Sequence, residues 1–340
     1  MTSAVVVGTG GISNAWFPPL KKGNIDIRGL VDLDVSRAEA AKAKHELDCP
    51  VGDDMAEMIR RQDPDFVVDL TVPSAHCEVT CTALNAGCHV VGEKPMANSM
   101  DEACRMVRTA EENGRMYMVG QSRRWATLPA TVAATVATGQ IGEIVAIDCQ
   151  FFLGVHFGGF REEMDSPLIL DMGIHHFDLA RFFTGCEPGS VFAHEFNPKG
   201  SWYRGDVAAS CIFEMANGAV FTYSGSWCST GQDTSWHGNW RITGDRGTLI
   251  FANDEPPVGQ KMGPAAVTRG PTNAGVVPVE IPPVELAKQG QHGALDEMLR
   301  FLQSGETPQT ECHDNIRSMA MVFGAIDSSR TGRRVPVRAL

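Results

Sequence analysis

The sequence predicts two domains: an α/β domain on a doubly wound parallel sheet, then an α+β domain with a large, mostly antiparallel open sheet. The chain has 340 residues, which is long for a single hydrophobic core. Its first 122 residues alternate strand and helix patterns, as in parallel sheets with right-handed crossovers. After residue 122 strand patterns follow one another, so we predict domains at 1–122 and 123–340.

In the first domain, apolar runs mark the strands and polar or glycine residues mark the helix ends. Strands are predicted at 4–7, 27–31, 66–72, 89–91 and 117–119. Helices are predicted from about residue 12 and over 36–47, 75–86 and 99–114. Gly87 follows one helix at the position that ends helices, and Ser99-x-x-Glu102 is a capping box that begins another.

The second domain begins with a helix at 128–138, a long strand at 144–152 and a helix at 171–183. Further strands are predicted at 190–196, 207–215, 219–227, 240–243 and 248–251, and Asn217-Gly218 between two of them indicates a hairpin. Residues 254–275 are rich in Pro and Gly, which favours a surface excursion. Helices at 291–303 and 312–329 close the chain.

Composition excludes several classes of function. The formal net charge of −12 argues against a nucleic-acid partner, because phosphate binding requires clustered Lys and Arg. No apolar run of about 18 residues or more suggests a membrane span, and the N-terminus lacks a signal-peptide pattern. The ten cysteines form no C-x-x-C pair, so we expect reduced thiols in the cytoplasm and no metal site; a disulfide framework or a metal site is the alternative.

A glycine-rich turn, Gly8-Thr9-Gly10-Gly11-Ile12-Ser13, follows the first strand and opens the first helix. It departs from the usual pattern in ending on Ser, but its context predicts a bound dinucleotide whose pyrophosphate meets backbone N–H groups. Asp32 ends the second strand at about the expected spacing, where its carboxylate would bind ribose hydroxyls and repel a 2′-phosphate. We therefore predict NAD, with NADP less favoured; Arg37 would soften that preference by reaching back. The alternative is a tight structural turn.

Two further segments follow strands of the same sheet, and cofactors bind at the carboxyl ends of parallel strands. The residues predicted to border the cofactor there are Thr71, Pro73, His76, Glu93 and Lys94. His76 alone is more typical of a helix start or a packing position. Pro95 stiffens the backbone behind Lys94, whose amine is suited to hydrogen bonding or proton exchange with a substrate oxygen.

Asp171 and His175 stand four residues apart in an apolar helical pattern, so they would share one helix face. Polar groups on a partly buried face are costly unless they have a purpose. We interpret the two residues as an acid/base pair, and a satisfied structural pair is the alternative. His176 would point elsewhere on the helix.

Several motifs resemble the family of glucose–fructose oxidoreductase, inositol dehydrogenase and the rhizopine-catabolism oxidoreductases: VVVGTGGIS, VDLD, VVDLTVPSAH, VVGEKPMA and LILDMGIHHFDLARFF, with the closing HGALDEMLRFLQSGETP and SMAMVFGAIDSSRTGRRVPV. The resemblance spans nearly the whole chain. It implies an N-terminal Rossmann domain, a C-terminal domain whose open sheet often forms the oligomer interface, and action on sugars or cyclitols with NAD or NADP. A homodimer or homotetramer is expected, since few helices remain to cover both faces of the second sheet.

By the same resemblance, Lys94, Asp171 and His175 match the catalytic positions of inositol dehydrogenases, where the histidine accepts the proton of the substrate hydroxyl. Polarity and position alone suggest a set of substrate contacts: Arg124, Trp125, His156, His176, Trp236 and His237. The expected activity is NAD-dependent oxidation of a secondary hydroxyl on a sugar, sugar derivative or inositol. Two alternatives stay open: an NAD-using glycoside hydrolase or lyase of the same family, and a nucleotide-binding sensor without turnover.

Overall fold

The computed structural model describes residues 1–267 and 274–339, and the chain divides into two compact units. The first unit contains Met1–Trp125 and Lys288–Met319, and the second contains Ala126–Ala287 and Ala320–Arg338. The division after residue 125 lies close to the boundary that the sequence pattern indicates. The return of residues 288–319 to the first unit differs from that pattern.

The first unit is built on six parallel strands: β1 (Ser3–Val7), β2 (Asp26–Val31), β3 (Val51–Gly52), β4 (Phe66–Asp69), β5 (His89–Gly92) and β6 (Tyr117–Val119). Their order in the sheet is β3-β2-β1-β4-β5-β6, which reverses direction between β1 and β4. In such sheets ligands bind beyond the carboxyl ends of the strands at the reversal point. The doubly wound parallel sheet predicted from the sequence is confirmed.

Five helices alternate with these strands: α1 (Ser13–Lys22), α2 (Val35–Lys44), α3 (Met55–Gln62), α4 (Pro73–Asn85) and α5 (Met100–Asn113). The predicted capping box is present, since the Ser99 hydroxyl accepts the Glu102 N–H at 3.1 Å. Helix α3 is absent from the sequence-based assignment. The sequence does contain a helix-start signal, because Asp54 stands at the N-cap position. Its carboxylate accepts the Glu57 N–H at 2.9 Å.

The second unit begins with α6 (Thr127–Ala137), β7 (Ile144–Phe152), the short α7 (Phe160–Glu163), a π-helical turn (Leu168–Gly173) and α8 (Ile174–Thr184). Strands then follow in succession: β8 (Pro188–Phe196), β9 (Ala208–Met215), β10 (Val220–Ser226), β11 (Asn239–Gly244), β12 (Gly247–Phe251), β13 (Val258–Val267) and β14 (Ala274–Pro278). With the C-terminal β15 (Val335–Pro336), they form a nine-stranded sheet of order β14-β13-β12-β11-β7-β10-β9-β8-β15. Among the described strands of this sheet only β7 and β10 pair in parallel, so the sheet is mostly antiparallel as predicted.

Two connecting segments of this sheet were predicted from the sequence, and the structure agrees fully with only one of the predictions. Asn217-Gly218 joins β9 to β10 as predicted, with Gly218 at φ +87°. The Pro- and Gly-rich stretch 254–275 is not simply a surface excursion, because β13 and the start of β14 pair within it. Residues 268–273 of that stretch lie outside the described residues.

The two faces of the nine-stranded sheet differ in exposure. On one face α8 packs against the strands, with the Phe177 ring 5.0 Å from Phe213 and the Phe183 ring 5.0 Å from Trp240. Large apolar side chains with relative exposures of 37–62% alternate with the buried ones: Phe192, Ile212, Val220, Ile250, Val258 and Val276. Together they give the opposite side of the sheet an apolar surface, which we call the open face.

Helices α9 (Gln291–Ser304) and α10 (Cys312–Thr331) close the fold. Ala294, Leu295 and Met298 of α9 belong to the same hydrophobic core as Trp16 and Phe17 of α1, which explains why this segment groups with the first unit. A sequence pattern shows that α9 is amphipathic but not which core buries its apolar side. Within residues 1–267 and 274–339, no helix is long and apolar enough to cross a membrane.

Candidate active site

The glycine turn between β1 and α1 lies close to the backbone at the end of β4. Gly8 has φ +90°, and a Cβ there would lie 2.7 Å from the carbonyl carbon and oxygen of Leu70. Only glycine therefore allows the end of β1 to approach the end of β4 this closely. A Cβ on Gly10 or Gly11 would meet nothing within 4 Å, so the backbone after the turn borders open space.

Asp32 organises the same turn from the end of β2. Its Oδ2 accepts the Thr9 N–H at 2.8 Å and the Thr9 hydroxyl at 2.7 Å, and its Oδ1 accepts the Asp34 N–H at 3.0 Å. Partial burial by itself raises the pKa of Asp32, but these hydrogen bonds and the charge of Arg37 outweigh it and lower the pKa. The carboxylate is therefore ionised at neutral pH.

A cavity of about 570 Å³ opens beside this turn. Its lining includes Gly8, Gly10, Asp32, Asp34, Arg37 and Thr71. These residues fit the nucleotide end of NAD: open glycine backbone for the pyrophosphate, the Asp32 carboxylate for the ribose hydroxyls, and apolar side chains for the adenine. Arg37 lines the cavity and pairs with Asp34 at 3.4 Å, and Ile12 stands exposed at the start of α1.

His76, predicted to border the cofactor, connects two strand-end loops. It is 1% exposed, with Nδ1 2.8 Å from the Pro95 carbonyl oxygen and Nε2 3.0 Å from the Thr71 carbonyl oxygen. A neutral imidazole donates to only one of these carbonyls. The contacts favour a positioning role for His76. Pro73 is the buried first residue of α4, and the Thr71 hydroxyl donates to Asp69 Oδ1 at 2.6 Å.

Glu93, also predicted to border the cofactor, is turned inward. Its Oε1 accepts the Trp16 indole N–H at 2.7 Å, and its Oε2 accepts the Lys94 N–H at 3.1 Å. Burial raises the pKa of Glu93, and the Trp16 and Lys94 contacts oppose that rise. Glu93 thus anchors the backbone of Lys94, which precedes a cis peptide bond to Pro95. The Lys94 side chain itself is half-buried.

The helix predicted at 171–183 begins before residue 171 in the structure, and its first turn is π-helical. Leu168–Gly173 forms a π-helical turn that continues into α8, and the Ile174 N–H bonds to the Ile169 carbonyl five residues back. Because a π turn holds more residues than an α turn, Asp171 is rotated relative to His175 compared with the simple i, i+4 prediction. Both residues are buried, at 3% and 8% exposure. Inserted π turns occur often at functional sites.

Asp171 has a partner that the sequence interpretation missed. Arg161, on the short helix α7, places its Nε 2.6 Å from Asp171 Oδ2. The Arg161 side chain is 34% exposed, whereas that of Asp171 is 4% exposed. The available signal was a single arginine directly after Phe160 in a glycine-containing stretch, ten residues before the predicted acid.

The remaining predicted substrate residues fall into two groups. Arg124 and Trp125 are buried within the first unit, where Arg124 pairs with Asp314 at 2.7 Å and the Trp125 indole donates to Glu297 at 3.1 Å. His176 is fully buried in the second unit, with its ring 4.7 Å from that of Phe151. These placements favour structural roles over substrate contact, because buried side chains already committed to protein partners offer a ligand little surface.

The second group is accessible and lies in the second unit. Trp236 is 45% exposed. His156 is exposed and stacks on Trp202 with ring centroids 3.8 Å apart. His237 Nδ1 lies 2.8 Å from Asp254 Oδ1. All three residues keep part of their side chains exposed.

Comparison with known proteins agrees with this geometry. Residues 2–121 match the model described as an oxidoreductase family with an NAD-binding Rossmann fold, and residues 130–250 match the GFO/IDH/MocA C-terminal domain. The chain belongs to this family and is an NAD(P)-dependent oxidoreductase. The resemblance inferred from the sequence motifs is confirmed.

Similar proteins include an uncharacterized protein, y4oX, of Sinorhizobium fredii, 28% identical over 98% of this chain and 94% of the relative. A D-apiose dehydrogenase of Rhizobium rhizogenes is 27% identical over 81% of this chain and 80% of the relative. Among solved structures, an oxidoreductase from Agrobacterium radiobacter in complex with NAD+, L-tartaric acid and magnesium superposes with a TM-score of 0.86 at 23% identity, covering 99% of this chain and 98% of that one. At that identity the structural match supports the fold alone.

Proposed function

We propose that this protein oxidises a secondary hydroxyl of a sugar, sugar derivative or inositol, with NAD as the hydride acceptor. The observation that carries the proposal is the buried Asp171 at a π-helical turn, followed by the buried His175 on the same helix. An acid and an imidazole buried in one apolar helix require polar partners, and Arg161 supplies one for Asp171. Sugar dehydrogenases among the relatives support the substrate class.

The residues divide the proton chemistry among them. His175 accepts the proton of the substrate hydroxyl, and Asp171 orients or tunes the imidazole. Lys94, with its backbone fixed by Glu93, stabilises the developing carbonyl oxygen through its ammonium group. The nicotinamide, when bound, supplies the hydride-accepting carbon.

NAD is preferred over NADP on the geometry of the first unit. The ionised Asp32 lines the cavity where a ribose would lie, and a 2′-phosphate there would meet a carboxylate of like charge. Arg37 lines the same cavity but faces Asp34, which partly neutralises it. The expected result is higher catalytic efficiency with NAD.

A substrate panel tests the proposal. Sugars and cyclitols are offered with NAD, and reduced nicotinamide is followed by its absorbance. At least one sugar or cyclitol should reduce NAD, and Lys94→Ala should nearly abolish the reaction. Lys94→Arg should not restore it, because the guanidinium is bulkier and does not give up its proton. Full activity of either variant would contradict the role of Lys94.

The open face supports a homo-oligomer, as a homodimer or homotetramer. Its exposed side chains Phe192, Ile212 and Ile250 form an apolar surface of the kind that self-complementary interfaces cover. Light scattering at micromolar concentration should report a dimer or tetramer, and Ile212→Lys should shift it toward the monomer. A monomeric wild-type protein would contradict the proposal.

A further inference from the structure

Arg161 has donors that its known contacts do not use. Its Nε is engaged with Asp171 Oδ2 at 2.6 Å. Within residues 1–267 and 274–339, its two terminal Nη groups make no hydrogen bond to the protein. A guanidinium presents two edges, so one edge reaches Asp171 and the other is left for a ligand or for water. With 34% of the side chain exposed, that second edge is accessible.

The guanidinium is held in place by aromatic rings. Its Cζ lies 5.1 Å from the Phe157 ring centroid and 4.7 Å from the Phe160 centroid. Phe157 in turn packs edge-on against the buried Trp227, with centroids 5.0 Å apart. Cation–π contacts of this kind restrict the side chain, so less entropy is lost when it binds a ligand.

The same rings form an exposed aromatic patch. Phe157 and Phe160 are 40% and 43% exposed, and Trp236, whose ring centroid lies 6.4 Å from that of Phe157, is 45% exposed. Phe157 and Phe160 belong to the segment around Arg161 and Trp236 belongs to the loop before β11, whereas the apolar residues of the open face belong to strands. Aromatic faces beside a fixed cation suit a carbohydrate that carries a negative charge, because its C–H faces stack on rings while the anion meets the cation.

Neighbouring carboxylates do not compete for Arg161. Glu162 Oε1 accepts the Gly158 N–H at 2.8 Å, and Glu163 Oε2 lies 3.5 Å from Arg204 Nε. Their charges nevertheless limit the ligand. A phosphate dianion would be repelled more strongly by Asp171 and Glu162 than a carboxylate, which carries one charge and matches the planar fork.

We propose that the Nη edge of Arg161 binds a carboxylate of the substrate, so that the substrate is a sugar acid such as a uronate or aldonate. The oxidation of this substrate rests on the proposed function, whereas its binding by Arg161 does not. The alternative is that Arg161 serves only as the counter-ion of Asp171. In that case the binding of neutral and of acidic sugars would depend on Arg161 equally.

The test compares matched pairs of ligands on NAD-loaded protein: D-glucuronate with D-glucose, and D-galacturonate with D-galactose. D-glucose 6-phosphate serves as a phosphate arm. Binding is measured by calorimetry and oxidation by NADH formation, for wild type, Arg161→Met, Arg161→Lys and the control Arg334→Met. Arg334 is a suitable control because it is an exposed arginine of the same unit that pairs with Glu214.

In the wild type, at least one acid should bind about tenfold or more tightly than its neutral partner. Arg161→Met should reduce that acid-to-neutral ratio by about 10- to 100-fold, as expected for a charge-assisted bidentate pair. Arg161→Lys should lose most of the ratio while keeping the charge beside Asp171. The control should retain the wild-type ratio.

The outcomes separate the inference from the proposed function. Arg161-dependent binding of an acid without NADH formation would support the inference and contradict the proposed function. Oxidation of neutral and acidic sugars with equal efficiency, or an equal loss for both in Arg161→Met, would overturn the inference and leave the proposed function intact. Preference for the phosphate arm, or no binding of any acid, would also overturn the inference.

Discussion

The candidate sites of the two units differ in which parts of the chain form them. In the first unit the backbone dominates: Gly8 lets two strand ends meet, and one carboxylate, Asp32, ties the turn together through Thr9. In the second unit the site consists of buried side chains, Asp171 and His175, in and after a π-helical turn. A backbone site depends on turn geometry that short motifs encode. A side-chain site depends on packing and on electrostatic partners that are distant in sequence.

The largest expected effect tests the side-chain site. His175→Ala should lower turnover by about two to four orders of magnitude, the usual range for general acid–base catalysis, with NAD affinity nearly unchanged. Single-turnover hydride transfer and NAD binding are measured on the same variant. His194→Ala, which changes an exposed histidine of β8, serves as the control. Near-normal hydride transfer in His175→Ala would favour the structural-pair interpretation, and Asp171→Asn should reduce the rate less than His175→Ala does.

The second-largest expected effect is on the free energy of unfolding and concerns Glu195, a buried acid of the same unit. Burial raises the pKa of Glu195 from 4.5 to about 7, opposed by a hydrogen bond from Ser166 at 3.2 Å. Between these values the folded chain keeps a proton that the unfolded chain releases, so stability should fall as pH rises from about 4.5 to about 7. The loss should reach about 3 kcal/mol by pH 8.

Glu195→Gln should remove this fall, since the amide does not ionise. Unfolding by urea at pH 5 and pH 8 measures the difference for wild type, Glu195→Gln and the exposed control Glu214→Gln. The control should keep the wild-type dependence on pH. The same slope in Glu195→Gln as in wild type would show that Glu195 does not titrate in this range. The result bears on the comparison because Asp32, stabilised by hydrogen bonds, has its pKa lowered instead.

The backbone site is tested by Gly8→Ala. The added Cβ would lie 2.7 Å from the Leu70 backbone at a φ of +90°, so the variant should lose about 1–3 kcal/mol of stability and bind NAD weakly. Gly11→Ala is the matched control, because a Cβ there meets nothing within 4 Å. Thermal unfolding and calorimetric NAD titration measure both variants. Equal behaviour of the two would show that the close approach at Gly8 is not required.

The smallest expected effect concerns cofactor choice. Asp32→Ser should shift the NAD-to-NADP ratio of catalytic efficiencies toward NADP by about tenfold or more, because a negative charge facing the 2′-phosphate is removed. NAD affinity should also fall, since Thr9 loses its acceptor. Asp34→Ser, at the exposed start of α2, should change the ratio much less. An unchanged ratio in Asp32→Ser would mean that another group sets cofactor preference.

The comparison also explains how far the sequence predicts the structure. Strand and helix periodicity predicted both sheets, and the Gly8 turn and Asp32 lie in one cavity of the first unit. Burial was harder to predict: Glu93 and His76 follow strand ends as expected, yet their side chains turn inward to Trp16 and to the Pro95 carbonyl. Those partners come from other parts of the chain, and local patterns do not identify them.

The same limit applies to the second unit. The i, i+4 spacing of Asp171 and His175 is a property of α-helices, and the sequence gives no sign of the π turn that shifts it. Arg161 is ten residues from Asp171 and joins it only through the fold. The assignment of α9 to the first core has the same cause, because an amphipathic pattern leaves the choice of partner open.

The most direct test of the central claim is the stoichiometry of the reaction. With a sugar that the protein consumes, a net dehydrogenase forms one NADH for each molecule of sugar oxidised. A glycoside hydrolase or lyase that reduces and reoxidises its cofactor within each turnover consumes sugar without accumulating NADH. Parallel measurement of sugar loss and NADH absorbance over many turnovers should give a ratio of about one if the hydride leaves with the cofactor. Sugar consumption with no net NADH would contradict the proposed function.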